Sequence, residues 1–350
     1  LFRFQYTSYT ASTAPRARGR LITPAPSTRR RFLGGTSAVL AAALAGCTGG
    51  DGGGSGDGDD GDGGGSDPTD TPVPYGNGEI NFIMSPSEPQ DYMERQYQPV
   101  KEHLADEVGL TTKLKYARNY SAVLQAMGSG TADIAETGPF AAALGVNAGR
   151  ADIALQRYAY GSWDYTSVIV TKESSDIESL SDLEGETIAF ADRLSASGAL
   201  FPLFMLKEAG LGIGNFPQDK GSAEFDATFS GHAQAFTQLE EDQAPAAGVG
   251  QFITLNDDRE LKDGYEYVET YDGIPRAPIV TSVELSEAEK SQLVDALEGA
   301  SDGIYHGADG EADTDDDLWF SDVRPADVDT YQPVIDVAVE LGVGADQLEA

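Results

Sequence analysis

Two serines and a glycine lie just before a predicted helix, in the run Ser195-Ala196-Ser197-Gly198. Hydrophobic periodicity predicts a buried strand before this run, over Thr187–Ala191, and a helix after it, over Ala199–Ala209. Small residues let a bound group approach the main chain, and the free N–H groups of a helix start carry partial positive charge. The run could therefore hold an anion. The alternative is that Ser195 or Ser197 only caps the helix.

His232 begins a second predicted helix, His232–Glu240, and its ring could donate a hydrogen bond to an anion. The other histidines, His103 on an amphipathic helix and His306 in an acidic loop, are interpreted as incidental. Carboxylates crowd Asp309–Asp317, but their spacing does not match an EF-hand loop, and a solvated loop is the preferred interpretation. With no nucleophile–base set and no Gly-Lys-Ser/Thr phosphate loop, we expect no enzyme, no metal and no cofactor.

The first 46 residues contain seven arginines and no acidic residue, and they end in a short apolar run. Thr28–Leu33 resembles a twin-arginine export signal, and Leu44–Cys47 resembles a lipoprotein cleavage box. These resemblances imply export and a lipid on Cys47, which would hold the protein at the outer face of the cell membrane. Residues 47–78 are rich in glycine and aspartate, which predicts a disordered tether.

The chain is strongly acidic, with a formal net charge of −35. Such a charge disfavours binding to nucleic acid or to an anionic membrane surface. It suits a solvated surface in very high salt, where screening reduces the self-repulsion. The composition therefore predicts a protein from a halophilic organism, and it predicts that this protein does not bind nucleic acid.

Short apolar strands alternate with amphipathic helices after residue 79, which predicts an α/β fold with parallel or mixed sheets. We predict two lobes, the first made of residues 79–168 and 280–350 and the second of residues 169–279. The strands Thr166–Thr171 and Ala277–Thr281 would cross between them as a hinge. One helix is predicted over Asp91–Glu107, and the region after Leu285 is predicted to be helical, without strands, and to pack on the first lobe.

Several segments together resemble the solute-binding proteins of phosphate, phosphite and phosphonate ABC importers. The matching segments are Tyr97–Leu104, Tyr120–Asp133, Gly138–Phe140, Tyr165–Lys172, Ser179–Gly210, Phe229–His232, Pro278–Val280 and Leu293–Leu297. The resemblance implies a type II periplasmic-binding-protein (Venus-flytrap) fold, in which two lobes joined by two strands close over a ligand. It also implies partners, namely a small oxyanion and the permease and ATPase subunits, and we expect a monomer.

The resemblance implies that Ser195, Ser197, Gly198 and the main chain of Ala196 hold the oxyanion together with His232. Ala196 replaces a threonine that is usual in the family, Ala233 replaces an aspartate, and Gly250 replaces an acidic residue found in members that recognise an amino group. These departures favour phosphate, phosphite or a simple phosphonate over an aminophosphonate.

From the first lobe the expected contacts are Ser85, Tyr92 and the turn at Pro139 and Phe140. Phe140 stands where the family commonly has tyrosine, so Tyr92 or Tyr120 would have to supply the missing phenol. Three alternatives stay open. The first is a receptor of the same fold for another solute, such as a sulfonate or a thiamine-like cation. The second is a metal-dependent phosphoesterase using Asp309–Asp317, and the third is a surface sensor or adhesion module without a permease.

Overall fold

The computed structural model of the chain describes residues 78–344. The predicted export segment, the predicted lipid anchor Cys47 and almost all of the predicted tether lie outside the described residues. Between residues 78 and 344, no helix is long and apolar enough to cross a bilayer.

Six strands form the first sheet: β1 (Glu79–Met84), β2 (Thr111–Tyr116), β3 (Ile134–Glu136), β4 (Ala151–Tyr158), β10 (Pro278–Ser282) and β11 (Asp322–Pro325). Their order across the sheet is β11-β4-β10-β3-β1-β2. β1 pairs in parallel with β2 and β3, whereas β10 is antiparallel to β3 and β4, and β11 is antiparallel to β4. The first sheet is therefore mixed.

Five strands form the second sheet: β5 (Asp164–Lys172), β6 (Thr187–Phe190), β7 (Asp226–Phe229), β8 (Ala246–Gly250) and β9 (Tyr265–Pro275). Their order is β7-β6-β8-β5-β9. β6 pairs in parallel with β7 and β8, and β5 is antiparallel to β8 and β9. Each sheet is the centre of one lobe.

In the described part of the chain, eight α-helices pack around the sheets: α1 (Gln90–Gln96), α2 (Gln98–Val108), α3 (Tyr120–Gly128), α4 (Pro139–Asn147), α5 (Phe201–Glu208), α6 (His232–Glu240), α7 (Glu287–Glu298) and α8 (Gln332–Leu341). Along β1, Ile80, Phe82 and Met84 pack under α2 and α7, while Ile83 packs on the other face with α3. This alternation follows from the two-residue period of a strand, and it buries the first sheet on both faces.

The predicted single helix over Asp91–Glu107 is wrong, because the structure has two helices that meet at Tyr97. Pro99 is the reason: it has no N–H to donate, and within one continuous helix its ring would clash with the carbonyl of Arg95. The break turns the Tyr97 side chain into the core, where its hydroxyl accepts a hydrogen bond from Arg157 Nη1 at 3.0 Å.

The predicted lobe boundaries fall inside strands. Residues 168 and 169 both belong to β5, which lies wholly in the second sheet, and residues 279 and 280 both belong to β10, which lies wholly in the first. The chain crosses between the sheets at residues 159–163 and 276–277. Ser162 and Ala159 form an isolated bridge in the first crossing, and the N–H of Arg276 in the second donates to the Trp163 carbonyl at 2.8 Å.

The C-terminal region differs from its prediction in two respects. It contains a strand, β11, which is polar and contains Pro325, as suits the edge of a sheet. Of the two C-terminal helices, α7 packs on the first lobe alone. Helix α8 lies against both lobes, because Val334 and Val337 belong to a core cluster with Phe140 of the first lobe and Phe201 of the second.

Candidate functional site

A cavity of about 180 Å³ lies between the two lobes. The first lobe contributes Ser85, Thr137 and Pro139 to its wall, and the second contributes the run that begins at Ser195 together with His232. Pro139 and His232 are the first residues of α4 and α6, and Ala196 begins a single π-helical turn before α5. Three helix starts therefore converge on the cavity, with their partial positive charges directed at it.

Pro202 shapes the turn that presents the serines. Because Pro202 has no N–H, the carbonyl of Gly198 receives no helical hydrogen bond from it and instead accepts the N–H of Ala191 at 2.9 Å. The N–H of Leu200 reaches back five residues to the Ser195 carbonyl at 3.0 Å. The prediction of a regular helix from Ala199 is therefore wrong by two residues, since α5 begins at Phe201 and a wider π-helical turn, Ala196–Leu200, precedes it.

Ser195 both caps this turn and leaves a proton for a ligand. Its Oγ accepts the N–H of Gly198 at 3.0 Å and lies 3.1 Å from Nε2 of His232. A serine oxygen accepts two hydrogen bonds, and these two contacts use both. The hydroxyl proton of Ser195 is then available to an acceptor in the cavity. The two functions that the sequence left as alternatives, helix cap and anion donor, are compatible in one side chain.

His232 is held as a neutral imidazole of one tautomer. The N–H of Gly250 donates to Nδ1 at 3.1 Å, so Nδ1 carries no proton and Nε2 is the donor towards Ser195. Burial lowers the pKa of His232 to about 4. His232 thus has both ring nitrogens engaged by the protein, and in this structure it orients Ser195.

Gly198 is required for this contact because a Cβ there would lie 2.8 Å from His232 Cε1 and 2.3 Å from the Cβ of Ala191. Any larger residue would push the π-helical turn away from His232.

Tyr165, near the start of β5, lines the cavity together with Ser197 of the π-helical turn. Burial raises the pKa of Tyr165 to about 12, although its contact with the side chain and main chain of Ser197 opposes this rise. The carbonyl of Ser197 is fixed in turn by the hydroxyl of Ser167 at 2.7 Å. Tyr165 therefore stays protonated at the wall of the cavity.

Thr137 is a donor of the first lobe that lines the cavity and has no hydrogen-bond partner among the described residues. It connects β3 to α4, is fully buried, lines the cavity, and its hydroxyl makes no hydrogen bond to any described residue. Next to it, a Cβ on Gly138 would come within 2.9 Å of the Tyr120 ring, so glycine is needed for Tyr120 to approach. Buried hydroxyls are nearly always paired, so an unpaired one at a cavity indicates a ligand contact.

A buried ion pair supports this wall of the cavity. Glu136 accepts both the N–H and the hydroxyl of Ser85 at 2.5 and 2.7 Å, and Arg157 Nη1 lies 3.0 Å from its other oxygen. The Arg157 guanidinium also donates to the Ala277 carbonyl at 2.9 Å and packs 4.5 Å from the Trp319 ring centroid. With its hydroxyl proton given to Glu136, Ser85 lines the cavity without a proton to spare.

The lobes also contact each other beside the cavity. The carboxylate of Asp192, in the second lobe, accepts the N–H of Tyr120 at the start of α3 in the first lobe. The same carboxylate accepts the N–H of Leu194 at 2.8 Å, and burial raises the pKa of Asp192. A carboxylate at a helix start is a favourable contact, and this one joins the two walls of the cavity.

The predicted site residues separate into two groups. Those that line the cavity are Ser85, Pro139, Ser195, Ala196, Ser197 and His232. Gly198 does not line the cavity, but its lack of a side chain lets the π-helical turn pack against Ala191 and His232. Tyr92 and Phe140 lie away from the cavity wall: Tyr92 donates to the Asp315 carbonyl at 2.5 Å, and Phe140 is buried in the core cluster that joins the lobes. Of the two candidate replacement phenols, Tyr120 lines the cavity and Tyr92 does not.

The acidic loop uses its carboxylates for its own folding. Asp316 accepts the N–H of Ala308 at 2.8 Å, and Asp317 accepts the N–H of Asp313 at 2.7 Å. Within residues 78–344, no three histidine, cysteine or acidic side chains are grouped so that they could hold a metal ion.

The sequence did not single out Thr137, Tyr165 or the ion pair of Glu136 with Arg157. Each comes from a strand end that only the sheet order brings to the cleft. The one available signal was the position of Thr137 directly before the Gly138-Pro139 helix start.

The two lobes, the two crossings and a cavity lined by hydrogen-bond donors define the class of solute-binding proteins with the type II periplasmic-binding-protein fold. Residues 82–331 match the family described as "ABC transporter, phosphonate, periplasmic substrate-binding protein". The chain belongs to this family of phosphonate and phosphate ABC substrate-binding proteins, and the family and fold that the sequence predicted are confirmed. Its members act outside the cytoplasm with permease and ATPase subunits and are not a family of enzymes.

The chain is also similar to individual proteins, and the solved structures among them share its fold. The chain is 29% identical over 136 residues to the phosphate-import protein PhnD of Mycolicibacterium smegmatis, a match that covers 38% of this chain and 42% of that protein. A binding-protein component of an ABC phosphonate transporter from Pseudomonas aeruginosa has the same fold, with a TM-score of 0.61 and 21% identity, over 75% of this chain and 86% of that one. PhnD1 of Prochlorococcus marinus, solved with methylphosphonate, gives a TM-score of 0.60 and 14% identity over 76% and 98% of the two chains.

Proposed function

We propose that this protein is the lipid-anchored receptor of an ABC importer and that it captures phosphate, phosphite or a small phosphonate. The observation that carries the proposal is the set of free donors in the cavity. Ser195 has a saturated oxygen and an available proton, Tyr165 is a protonated phenol at the cavity wall, and the hydroxyl of Thr137 has no partner among the described residues. The oxygens of a tetrahedral anion are acceptors that such a set would satisfy.

The donors come from both lobes, which gives a physical account of capture. Ser195 and Tyr165 belong to the second lobe and Thr137 to the first, so an anion bonded to all three favours the closed arrangement of the lobes. Closure removes water from the cavity, and each hydrogen bond to the anion is then stronger than in water. Short-range hydrogen bonds of this kind allow an anion to bind to a protein whose net charge is −35.

The test is calorimetric titration of the chain in concentrated salt with phosphate, phosphite, methylphosphonate, 2-aminoethylphosphonate and sulfate. Saturable binding of a phosphorus oxyanion is expected. Ser195→Ala should weaken it about 10- to 100-fold, because it removes a hydrogen bond to a charged group. Ser291→Ala is the matched control, since the Ser291 hydroxyl contacts Asp295 on α7, outside the cavity.

Two results would contradict the proposal. One is the absence of binding to all of the phosphorus oxyanions. The other is an unchanged affinity of Ser195→Ala, which would leave Ser195 as a helix cap only. A preference for sulfate would favour a receptor of the same fold for a sulfur oxyanion.

A further inference from the structure

We infer that the cavity has a second anion-binding end, formed by Arg276 and Arg259, and that the preferred ligand carries a carboxylate besides its phosphonate or phosphate group. The ligand class would be the phosphonocarboxylates and their phosphate-ester counterparts. The inference rests on the proposed function, because it assigns the first anionic group to the donors around Ser195.

Arg276 is buried at the crossing between the lobes, and it lines the cavity. Its Nε donates to the Ser162 carbonyl at 3.0 Å, which uses one of the five N–H donors of the guanidinium. Among residues 78–344, no carboxylate lies within 4.0 Å of its guanidinium nitrogens, although Asp164 is near enough to favour the charged form. The two terminal nitrogens are therefore available to a ligand.

Arg259 stands beside Arg276 at the same end of the cavity. The Tyr160 ring joins them, with its centroid 3.4 Å from Cζ of Arg259 and 5.4 Å from Cζ of Arg276. Both Tyr160 and Arg259 have a positive φ, 53° and 62°, in the left-handed region that residues other than glycine rarely adopt. Within residues 78–344, neither guanidinium forms an ion pair with a carboxylate, so the two neighbouring groups repel each other, and an anion between them would relieve that repulsion.

Tyr165 connects the two ends. Its ring centroid lies 6.0 Å from Cζ of Arg276, and its hydroxyl is hydrogen-bonded to Ser197 in the π-helical turn. The arginines are thus about one tyrosine side chain away from the first donor set. A ligand that reaches both must extend beyond a single tetrahedral group.

The volume and charge of the cavity agree with such a ligand. A water molecule needs about 10–15 Å³ of this kind of space, so about 180 Å³ exceeds what one five-atom oxyanion requires. Three arginines and two glutamates line the cavity. Glu136 is neutralised by Arg157, which leaves Glu88 to oppose Arg259 and Arg276. Positive charge prevails here in a protein with a net charge of −35.

Calorimetry with paired ligands tests the inference. Methylphosphonate has the phosphonate alone, phosphonoacetate adds a carboxylate, and 2-aminoethylphosphonate adds an ammonium. We expect phosphonoacetate to bind about 10- to 100-fold more tightly than methylphosphonate, the gain expected from one charged hydrogen-bonded pair. Arg276→Gln should bring the ratio of the two affinities close to one. Arg259→Gln, at an exposed residue, should also lower this ratio.

Arg193→Gln is the control, because the Arg193 guanidinium packs on the Phe229 ring outside the cavity and should leave the ratio unchanged. Binding of methylphosphonate without a gain for phosphonoacetate would overturn this inference alone. A preference for 2-aminoethylphosphonate would also overturn it and would point to Glu88. Absence of binding to all three, with binding of phosphate or phosphite retained, would overturn this inference alone. Absence of binding to these three and also to phosphate and phosphite would overturn the proposed function and this inference together.

Discussion

Replacing Thr137 with valine should weaken ligand binding and stabilise the free protein. Thr137 is fully buried, and its hydroxyl has no hydrogen-bond partner among the described residues. Valine keeps the branched shape and removes only the hydroxyl. The two effects have opposite signs because the hydroxyl is unsatisfied without ligand and satisfied with it.

The magnitudes follow from the same hydroxyl. An unpaired buried polar group costs about 1–3 kcal/mol, so Thr137→Val should raise the unfolding free energy by about 1 kcal/mol. For a domain of this size that corresponds to a rise in Tm of about 2 °C. A hydrogen bond to a charged ligand contributes about 1.5–3 kcal/mol, so affinity for phosphate or methylphosphonate should fall about 10- to 150-fold.

Thr112→Val is the matched control. Thr112 lies in β2, is buried, and also has a hydroxyl without a partner, but it does not line the cavity. Both variants should be more stable by thermal unfolding without ligand, and only Thr137→Val should lose affinity in calorimetry. A loss of stability in Thr137→Val with unchanged affinity would refute the reasoning, because it would show that the hydroxyl is bonded within the protein.

Two further predictions concern His232 and Cys47. Since burial lowers the pKa of His232 to about 4, below its ordinary 6.5, the stability contributed by the neutral ring is complete above pH 6.5 and is lost as pH falls towards 4. Urea unfolding of the wild type and of His232→Asn should therefore show a stability difference that shrinks over this range, and a constant difference would contradict the assignment. Cys47→Ala should move the protein from the membrane fraction to the medium, as measured by fractionation, whereas retention with membranes would argue against a lipid on Cys47.

Local sequence patterns were sufficient for most of the elements. Helix α6 was predicted with the bounds that it has, because a glycine precedes His232 and the apolar face repeats at helical spacing up to Leu239. Two of the errors, the single helix through Tyr97 and the missing strand β11, have a local and a non-local cause, respectively. Pro99 interrupts one helix at a position that the periodicity alone does not show. β11 is short and polar, and it becomes a strand only because β4 presents an open edge.

The Ser195–Gly198 loop could also be predicted from the sequence, because its serines and the strand and helix that flank it are adjacent in the chain. What this chain's sequence established by itself was this loop, the alternation of strands and helices, and the resemblance to a family. The rest of the cavity depends on tertiary structure. Thr137 and Arg276 are far apart in the chain, and they meet at the cleft only because the strand orders bring their ends together. Whether Ser195 can donate its hydroxyl proton to a ligand depends on His232 and Gly250. The Gly250 N–H fixes the tautomer of His232, and the His232 ring then donates to Ser195, so three separate segments of the second lobe are needed.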